Sequence, residues 1–322
     1  MAANPLTIWC DLTMGEAALA KLREATADHR LLLATEAADK AEASAWLDDA
    51  DVAFGQPDAD RAARAPRLRW VHLSSAGYTT YDRDAIRAGF AGRGALLTNS
   101  SAVYAEPCAE HVLAFMLADA RQLARSIRHQ AGDRAWTQGP TRAASVLLRG
   151  QTVALVGFGA IGRRLAELLA PFAADVVAVR HAARGDETVR TVSAAALETV
   201  LAVADHVIDL LPARADTARF FDARRFAQCR RGAVFYNVGR GSTVDQDALR
   251  AALDTEHLRA AYLDVTDPEP LPVDHPLWST RGCVITPHSA GGHAGEDARL
   301  VAHFLTNLER YRSGQPLLDR IV

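Results

Sequence analysis

The stretch TVALVGFGAIGRRLAELL, residues 152–169, restricts the fold more than any other part of this chain. TVALV is a short apolar run suited to a strand buried on both faces. From Ala160 the apolar residues recur at helical spacing, and the run DVVAVR that follows reads as a second strand. Between strand and helix stand Gly157, Gly159 and Gly162, in the spacing G-x-G-x-x-G. The spacing alone is weak evidence, but its strand–turn–helix–strand frame makes it specific. The first glycine permits the tight turn, the second lets an anion approach the backbone, and the third lets helix and sheet pack closely. Phe158, Ala160 and Ile161 complete a turn that offers the amino terminus of a helix to a pyrophosphate. A parallel α/β sheet that binds a dinucleotide is the expectation.

The rest of the chain repeats the alternation. PLTIWC, RLLLA, DVAFG and RLRWVHLSSAG read as strands between Ala-rich helical segments in the first hundred residues. A long helical stretch covers 102–130, and a looser segment with Gly132, Gly139 and Pro140 follows. After the glycine turn come ADHVIDLLP, GAVFYNV, LRAAYLDV and CVITP as strands, and the chain closes on a helical stretch, GEDARLVAHFLTNLERYRSG. No internal repeat or low-complexity tract interrupts the pattern. The expected fold is two doubly wound parallel-sheet domains, a Rossmann cofactor domain and a flavodoxin-like domain. The cofactor domain is placed at 102–292. The other domain is placed at 1–101, completed by 293–322 because a lone terminal helix must cover its apolar face.

The strand DVVAVR ends in Arg180, with His181 and Arg184 close behind and no carboxylate before Asp186. An acidic residue at this place holds the ribose 2′-hydroxyl of NAD, whereas a guanidinium suits a 2′-phosphate by its charge and planar fork of donors. NADP(H) is therefore the favoured cofactor, with NAD(H) possible.

Three further strands deliver chemistry to one edge. Arg240 follows GAVFYNV between Gly239 and Gly241, Glu269 lies a few residues past AAYLDV, and His288 follows CVITP. In an open parallel sheet, ligands bind outside the carboxyl ends of the strands. Arg240 is suited to gripping a carboxylate or carbonyl oxygen, and its glycine neighbours let ligands come close to the backbone. His288 is the candidate acid and base, because unperturbed histidine titrates near neutrality. Glu269, hydrogen-bonded to it, would orient the ring and favour its charged form. This set fits hydride exchange between a nicotinamide and a 2-oxo acid, with the protein supplying orientation and charge.

Composition closes off other classes. The 322 residues are 49% hydrophobic and 23% charged with a net charge of −3, so neither a nucleic acid nor an anionic membrane surface is an expected partner. Cys10, Cys108, Cys229 and Cys283 are far apart and form no metal or disulfide spacing. No metal is expected. The amino terminus lacks the basic-then-apolar order of a signal peptide, and no apolar stretch is long enough to span a bilayer, so a cytoplasmic protein is the expectation.

The segments TNSSAVYAEPCAEHVLAFMLADAR, VALVGFGAIGRRLA, LLPARADT, NVGRGSTVDQDAL, LDVTDPEPLPVDHPLW and VITPHSAGG together resemble the D-isomer-specific 2-hydroxyacid dehydrogenases, with VHLSSAGY the main addition from the first hundred residues. The resemblance implies that Arg240, Glu269 and His288 are the catalytic set and that Asp264 holds the nicotinamide carboxamide. It places Leu211, Pro212, Thr217, Val238 and Gly291 against the cofactor. The backbone of Ser75, Ala76 and Gly77 would meet the substrate carboxylate, and Trp278 would reach the substrate. It further implies an active cleft between two domains and a homodimer built through the helix at 102–130 and the arm at 131–150. Small acids such as glyoxylate and hydroxypyruvate are the expected substrates. Arg180 departs from the family's usual acidic residue, and Ala102 stands where many members carry glycine. Formate dehydrogenases are disfavoured by Glu269, and a phosphoglycerate dehydrogenase with a regulatory domain is disfavoured by the length. A dinucleotide-sensing corepressor on the same scaffold is the alternative that keeps the catalytic set without turnover.

Overall fold

The structure is a computed structural model that describes residues 4–181, 185 and 187–322. The chain divides into a unit of Met1–Tyr104 with Gly292–Val322 and a unit of Ala105–Gly291. The helix Ser101–Ala120 carries the chain from one into the other.

The first unit holds five strands: β1 (Thr7–Cys10), β2 (Arg30–Leu33), β3 (Val52–Gly55), β4 (Trp70–Leu73) and β5 (Leu96–Thr98). They pair in parallel in the order β2-β1-β3-β4-β5, the flavodoxin-like arrangement. Every residue of β3 and β4 is buried, as expected for a sheet covered on both faces. The period of two along each strand sorts the core. Trp9, Ala53 and Val71 pack on one face with Leu47, Ile86 and Phe90, while Ile8, Phe54 and Trp70 pack on the other. The terminal helix Glu296–Arg312 covers that second face. Its Phe304 is fully buried and stacks on Phe54 at 4.3 Å and on Trp70 at 5.4 Å between ring centroids. His72 lies in the same core against Thr98 and Ser100, and burial lowers its pKa to about 3, so it is a neutral structural group.

The second unit holds seven strands: β6 (Thr152–Val156), β7 (Asp175–Arg180), β8 (Arg190–Ser193), β9 (His206–Asp209), β10 (Ala233–Asn237), β11 (Leu258–Leu263) and β12 (Cys283–Ile285). All pair in parallel, in the order β12-β11-β10-β9-β6-β7-β8. The strand order reverses between β6 and β9, which is the switch point where doubly wound sheets bind dinucleotides. β8 is not apparent in the sequence because RTVS is short and largely polar. The helix expected over 102–130 is broken: it ends at Ala120, Gln122 takes a left-handed backbone (φ 57°), and a second helix runs Leu123–Ala131. No helix among the described residues is long and apolar enough to cross a membrane.

Phe304→Ala should lower the stability of the chain by about 3–5 kcal/mol, because it opens a cavity between two stacked rings. Denaturant unfolding of the variant against the parent measures it.

Candidate active site

The glycine turn gives its three glycines different tasks. Gly157 has φ +98°, and a Cβ there would lie 3.0 Å from the Leu210 carbonyl oxygen. At Gly162 a Cβ would meet the Phe158 ring and the Gly157 carbonyl oxygen at 3.1 and 3.2 Å, so this glycine lets the helix Ala160–Leu169 sit against the turn. A Cβ at Gly159 would meet nothing within 4 Å. That open side faces the start of the helix, where the amides of Gly159, Ala160 and Ile161 find no acceptor among the described residues. Two glycines serve packing and the third leaves room. The donor set fits a dinucleotide pyrophosphate.

At the end of β7, Arg180 is largely buried and pairs with Glu187 at 2.8 Å. The other oxygen of Glu187 accepts the Gly185 amide. A carboxylate thus stands against the guanidinium. His181 is exposed beside it, and Arg184 lies outside the described residues.

β10 ends in Asn237, whose buried side chain braces the next turn. Its Oδ1 accepts the Gly239 amide and its Nδ2 donates to the Arg240 carbonyl oxygen, each at 2.9 Å. Gly239 and Gly241 stand where side chains cannot: a Cβ would come within 2.7 Å of the Leu211 carbonyl oxygen in one case and 1.9 Å of the Thr266 carbonyl oxygen in the other. Arg240 is half-buried, and its Nη1 donates to the Gly239 carbonyl oxygen at 2.6 Å. Arg240 therefore follows β10 in a turn pressed against the neighbouring strand ends.

Asp209, at the end of β9, is fully buried beneath this turn. Burial pushes its carboxyl up to about 7, against hydrogen bonds from Thr243 and the Leu211 amide. Thr243 Oγ1 stands 2.6 Å from both Asp209 Oδ2 and the Arg240 carbonyl oxygen. One hydroxyl hydrogen serves only one of those two acceptors. With Asp209 protonated, its O–H donates to Thr243 and the hydroxyl donates on to Arg240, so every group is satisfied. Neither Asp209 nor Thr243 figured among the residues singled out from sequence, and an aspartate inside an apolar strand was the available signal.

β11 and β12 supply the remaining groups. Asp264, just past β11, is 2% exposed. Its oxygens accept the Ser289 and Ala290 amides, each at 2.9 Å, and the Thr286 hydroxyl at 2.6 Å, while its carbonyl oxygen accepts the His288 amide at 2.8 Å. His111, which burial holds below the usual imidazole range, closes the cluster at 3.7 Å from Asp264 and 3.1 Å from Thr286. The loop so tied carries His288 with φ +51°, a left-handed conformation that costs energy in any residue with a Cβ. His288 Nδ1 meets Glu269 Oε2 at 2.7 Å, and Glu269 Oε1 accepts the Thr266 amide at 2.9 Å. The pair is partly open, with side chains 52% and 37% exposed.

The structure thus joins Glu269 to His288 and sets Arg240, bonded to neither, at the end of the adjacent strand. Leu211, Pro212 and Val238 lie at the same edge after β9 and β10, and Thr217 is tied to Pro212 through its hydroxyl at 2.6 Å. Gly291 follows the loop that Asp264 holds. Trp278 is half exposed, and its indole N–H is spent on the Pro272 carbonyl oxygen within its own loop. In the other unit, Ser75, Ala76 and Gly77 follow β4, fixed by Asn99 on the Ala76 carbonyl oxygen and the Ser100 amide on that of Ser75. The amides of these three residues have no acceptor among the described residues. Burial pushes all four cysteine thiols up to about 12, so none is available as a thiolate.

The description "D-isomer specific 2-hydroxyacid dehydrogenase, NAD binding domain" matches residues 113–290. Glyoxylate/hydroxypyruvate reductase B of Salmonella newport (strain SL254) is 37% identical over 231 residues, covering 70% of this chain and 69% of the relative. Two solved structures align over nearly the whole chain. A D-isomer specific 2-hydroxyacid dehydrogenase family protein from Aeromonas salmonicida subsp. salmonicida A449 is 29% identical with a TM-score of 0.79, covering 99% of both chains. An NADPH-dependent glyoxylate/hydroxypyruvate reductase from Sinorhizobium meliloti, in complex with NADP and sulfate, is 27% identical with a TM-score of 0.81, covering 98% of both. The chain belongs to the D-isomer specific 2-hydroxyacid dehydrogenases. It is an oxidoreductase of 2-hydroxy acids that uses a nicotinamide cofactor.

Asp209 gives this site a pH signature. Its folded pKa of about 7 exceeds the ordinary 3.8, so the native chain keeps a proton that the unfolded chain has released between those values. Stability from this group therefore falls as pH rises from about 4 to about 7. Asp209→Asn mimics the protonated acid and should flatten that fall, read as Tm against pH for variant and parent.

Proposed function

We propose that this enzyme reduces small 2-oxo acids to D-2-hydroxy acids, with glyoxylate and hydroxypyruvate as substrates and NADP(H) preferred over NAD(H). The observation that carries the reading is the 2.7 Å contact between His288 Nδ1 and Glu269 at the carboxyl edge of the cofactor-binding sheet. With Nδ1 engaged, Nε2 is the atom left to give a proton to the carbonyl oxygen, or to take it from the hydroxyl in the reverse direction. Glu269 holds the ring in place through that contact. A bound nicotinamide supplies the hydride in reduction and accepts it in oxidation. Arg240, its carbonyl held by Asn237 and its glycine neighbours pressed against Leu211 and Thr266, holds the carboxylate or carbonyl oxygen of the acid through its fork of donors. The amide run at Ser75–Gly77 suits the substrate carboxylate.

The substrate reading draws on the Salmonella relative's name and on the Sinorhizobium structure, an NADPH-dependent enzyme with NADP bound. Arg180 supports the cofactor preference by its charge, and Glu187 opposes it by bringing an acceptor to the same place. A homodimer is part of the proposal, since Leu123, Ile127, Trp136 and Leu147 expose apolar side chains on the segment that follows the long helix.

The test follows nicotinamide absorbance with NADPH and NADH in parallel, across glyoxylate, hydroxypyruvate, pyruvate and phenylpyruvate. Turnover of glyoxylate and hydroxypyruvate with higher kcat/KM for NADPH is the expected result. Equal or better use of NADH overturns the cofactor preference. Silence with every acid, while a dinucleotide still binds, overturns the enzyme reading in favour of a dinucleotide-sensing binding protein.

His288→Asn should lower kcat for reduction by about 10²- to 10⁴-fold, the range of a lost general acid. Initial rates of reduction at saturating 2-oxo acid, variant against parent, measure it.

A further inference from the structure

The amino ends of the cofactor-domain strands, at the edge opposite Arg240 and His288, enclose a cavity of about 730 Å³. That volume is in the range of small-molecule sites, roughly 300–1,000 Å³. Six arginines line it: Arg125, Arg128, Arg230, Arg231, Arg259 and Arg281. They come from separate places in the chain, two from the helix Leu123–Ala131 and four from the starts of β10, β11 and β12. Two aspartates share the lining, and each is already matched. Asp119 takes two hydrogen bonds from Arg259, at 3.1 and 2.8 Å, and Asp205 pairs with Arg230. Arg281 pairs with Glu256 at 2.9 Å. Among the described residues, no carboxylate pairs with Arg125, Arg128 or Arg231.

Three uncompensated guanidiniums in one concave site repel one another and leave a strongly positive potential. Each presents a planar fork of donors that matches carboxylate and phosphate oxygens two at a time. On the helix, Arg125 and Arg128 lie on one side, while the exposed Leu123 and Ile127 lie about half a turn away on the other. The exposed apolar side chains of this helix therefore point away from its two arginines, although Arg125, Arg128 and Val146 belong to the same segment proposed for self-association. Val146, Ala260 and Val284 add apolar surface to the cavity for the body of a ligand.

We propose that this cavity is a second ligand site, taking a small polyanion: a phosphorylated or polycarboxylic metabolite. Strands of five or six residues separate it from the catalytic edge by on the order of 15–20 Å, so its ligand does not compete with the dinucleotide. The site is independent of which 2-oxo acid the enzyme reduces.

The test is isothermal titration calorimetry with pyrophosphate and with citrate, as phosphate and carboxylate probes. The full-length protein is used after saturation with NADP⁺, and again after saturation with NAD⁺, so that the glycine turn is filled. Binding of at least one probe is expected, weakening as chloride concentration rises. The variant carrying Arg125→Ala, Arg128→Ala and Arg231→Ala should weaken it about tenfold or more, as the loss of charge-assisted hydrogen bonds requires. None of the three side chains pairs with a carboxylate of the described residues, so the variant should melt as the parent does without probe. Arg231→Ala alone, as a milder change, should weaken binding in the same direction. Preference for pyrophosphate or for citrate identifies which anion chemistry the site reads. The proposal is overturned by no binding of either probe at millimolar concentration, by displacement of the probe by dinucleotide, or by unchanged affinity in both variants. It is also overturned if the triple variant changes the assembly mass in sedimentation while leaving probe binding intact, since the arginines then serve an interface.

Discussion

The carboxyl edge of the cofactor-domain sheet depends on a buried carboxylate that touches the loop around it from three directions. Asp264 accepts the amides of Ser289 and Ala290 and the hydroxyl of Thr286, and its backbone carbonyl accepts the amide of His288. A buried carboxylate requires such a set of donors, because its charge is otherwise too costly to hold away from water. The reciprocal effect is that the loop has one shape. The family resemblance assigns Asp264 to the nicotinamide carboxamide, and the hydrogen bonds give it a task within the protein as well.

The same logic runs through the Arg240 turn, where the fixing groups are glycines rather than acids. Gly241 brings the chain so close to Thr266 that even a methyl group has no place. Gly239 does the same against Leu211. The turn after β10 is thereby locked to the ends of β9 and β11. Asn237 from within and Asp209 from beneath complete the lock. An arginine at a strand end carries an otherwise flexible side chain, and its usefulness depends on how little its backbone moves.

Much of this was legible in the sequence, for physical reasons that differ by residue. The parallel fold follows from apolar strands alternating with amphipathic helices, and the glycine turn from a spacing that only a strand–turn–helix frame uses. Arg240, Glu269 and His288 stand at the ends of consecutive strands, so counting along the pattern placed them on one edge. What could not be read were contacts across the chain. Glu187 meets Arg180 across a stretch of sequence with no periodicity, and β8 is too short and polar to announce itself. Asp209 hides inside an apolar strand, where sequence shows the residue but not the pairing with Thr243. The arginines of the opposite edge are scattered over more than 150 positions, and only the sheet gathers them.

The left-handed backbone at His288 has a consequence for how the molecule tolerates change. A residue with a Cβ is strained there, and glycine would be relaxed. Position 288 therefore sets durability against the imidazole: the substitution that relieves the fold removes the ring. A search for heat-resistant variants guided by stability alone would be drawn to this residue, and would return a sturdier protein with Glu269 left without its partner.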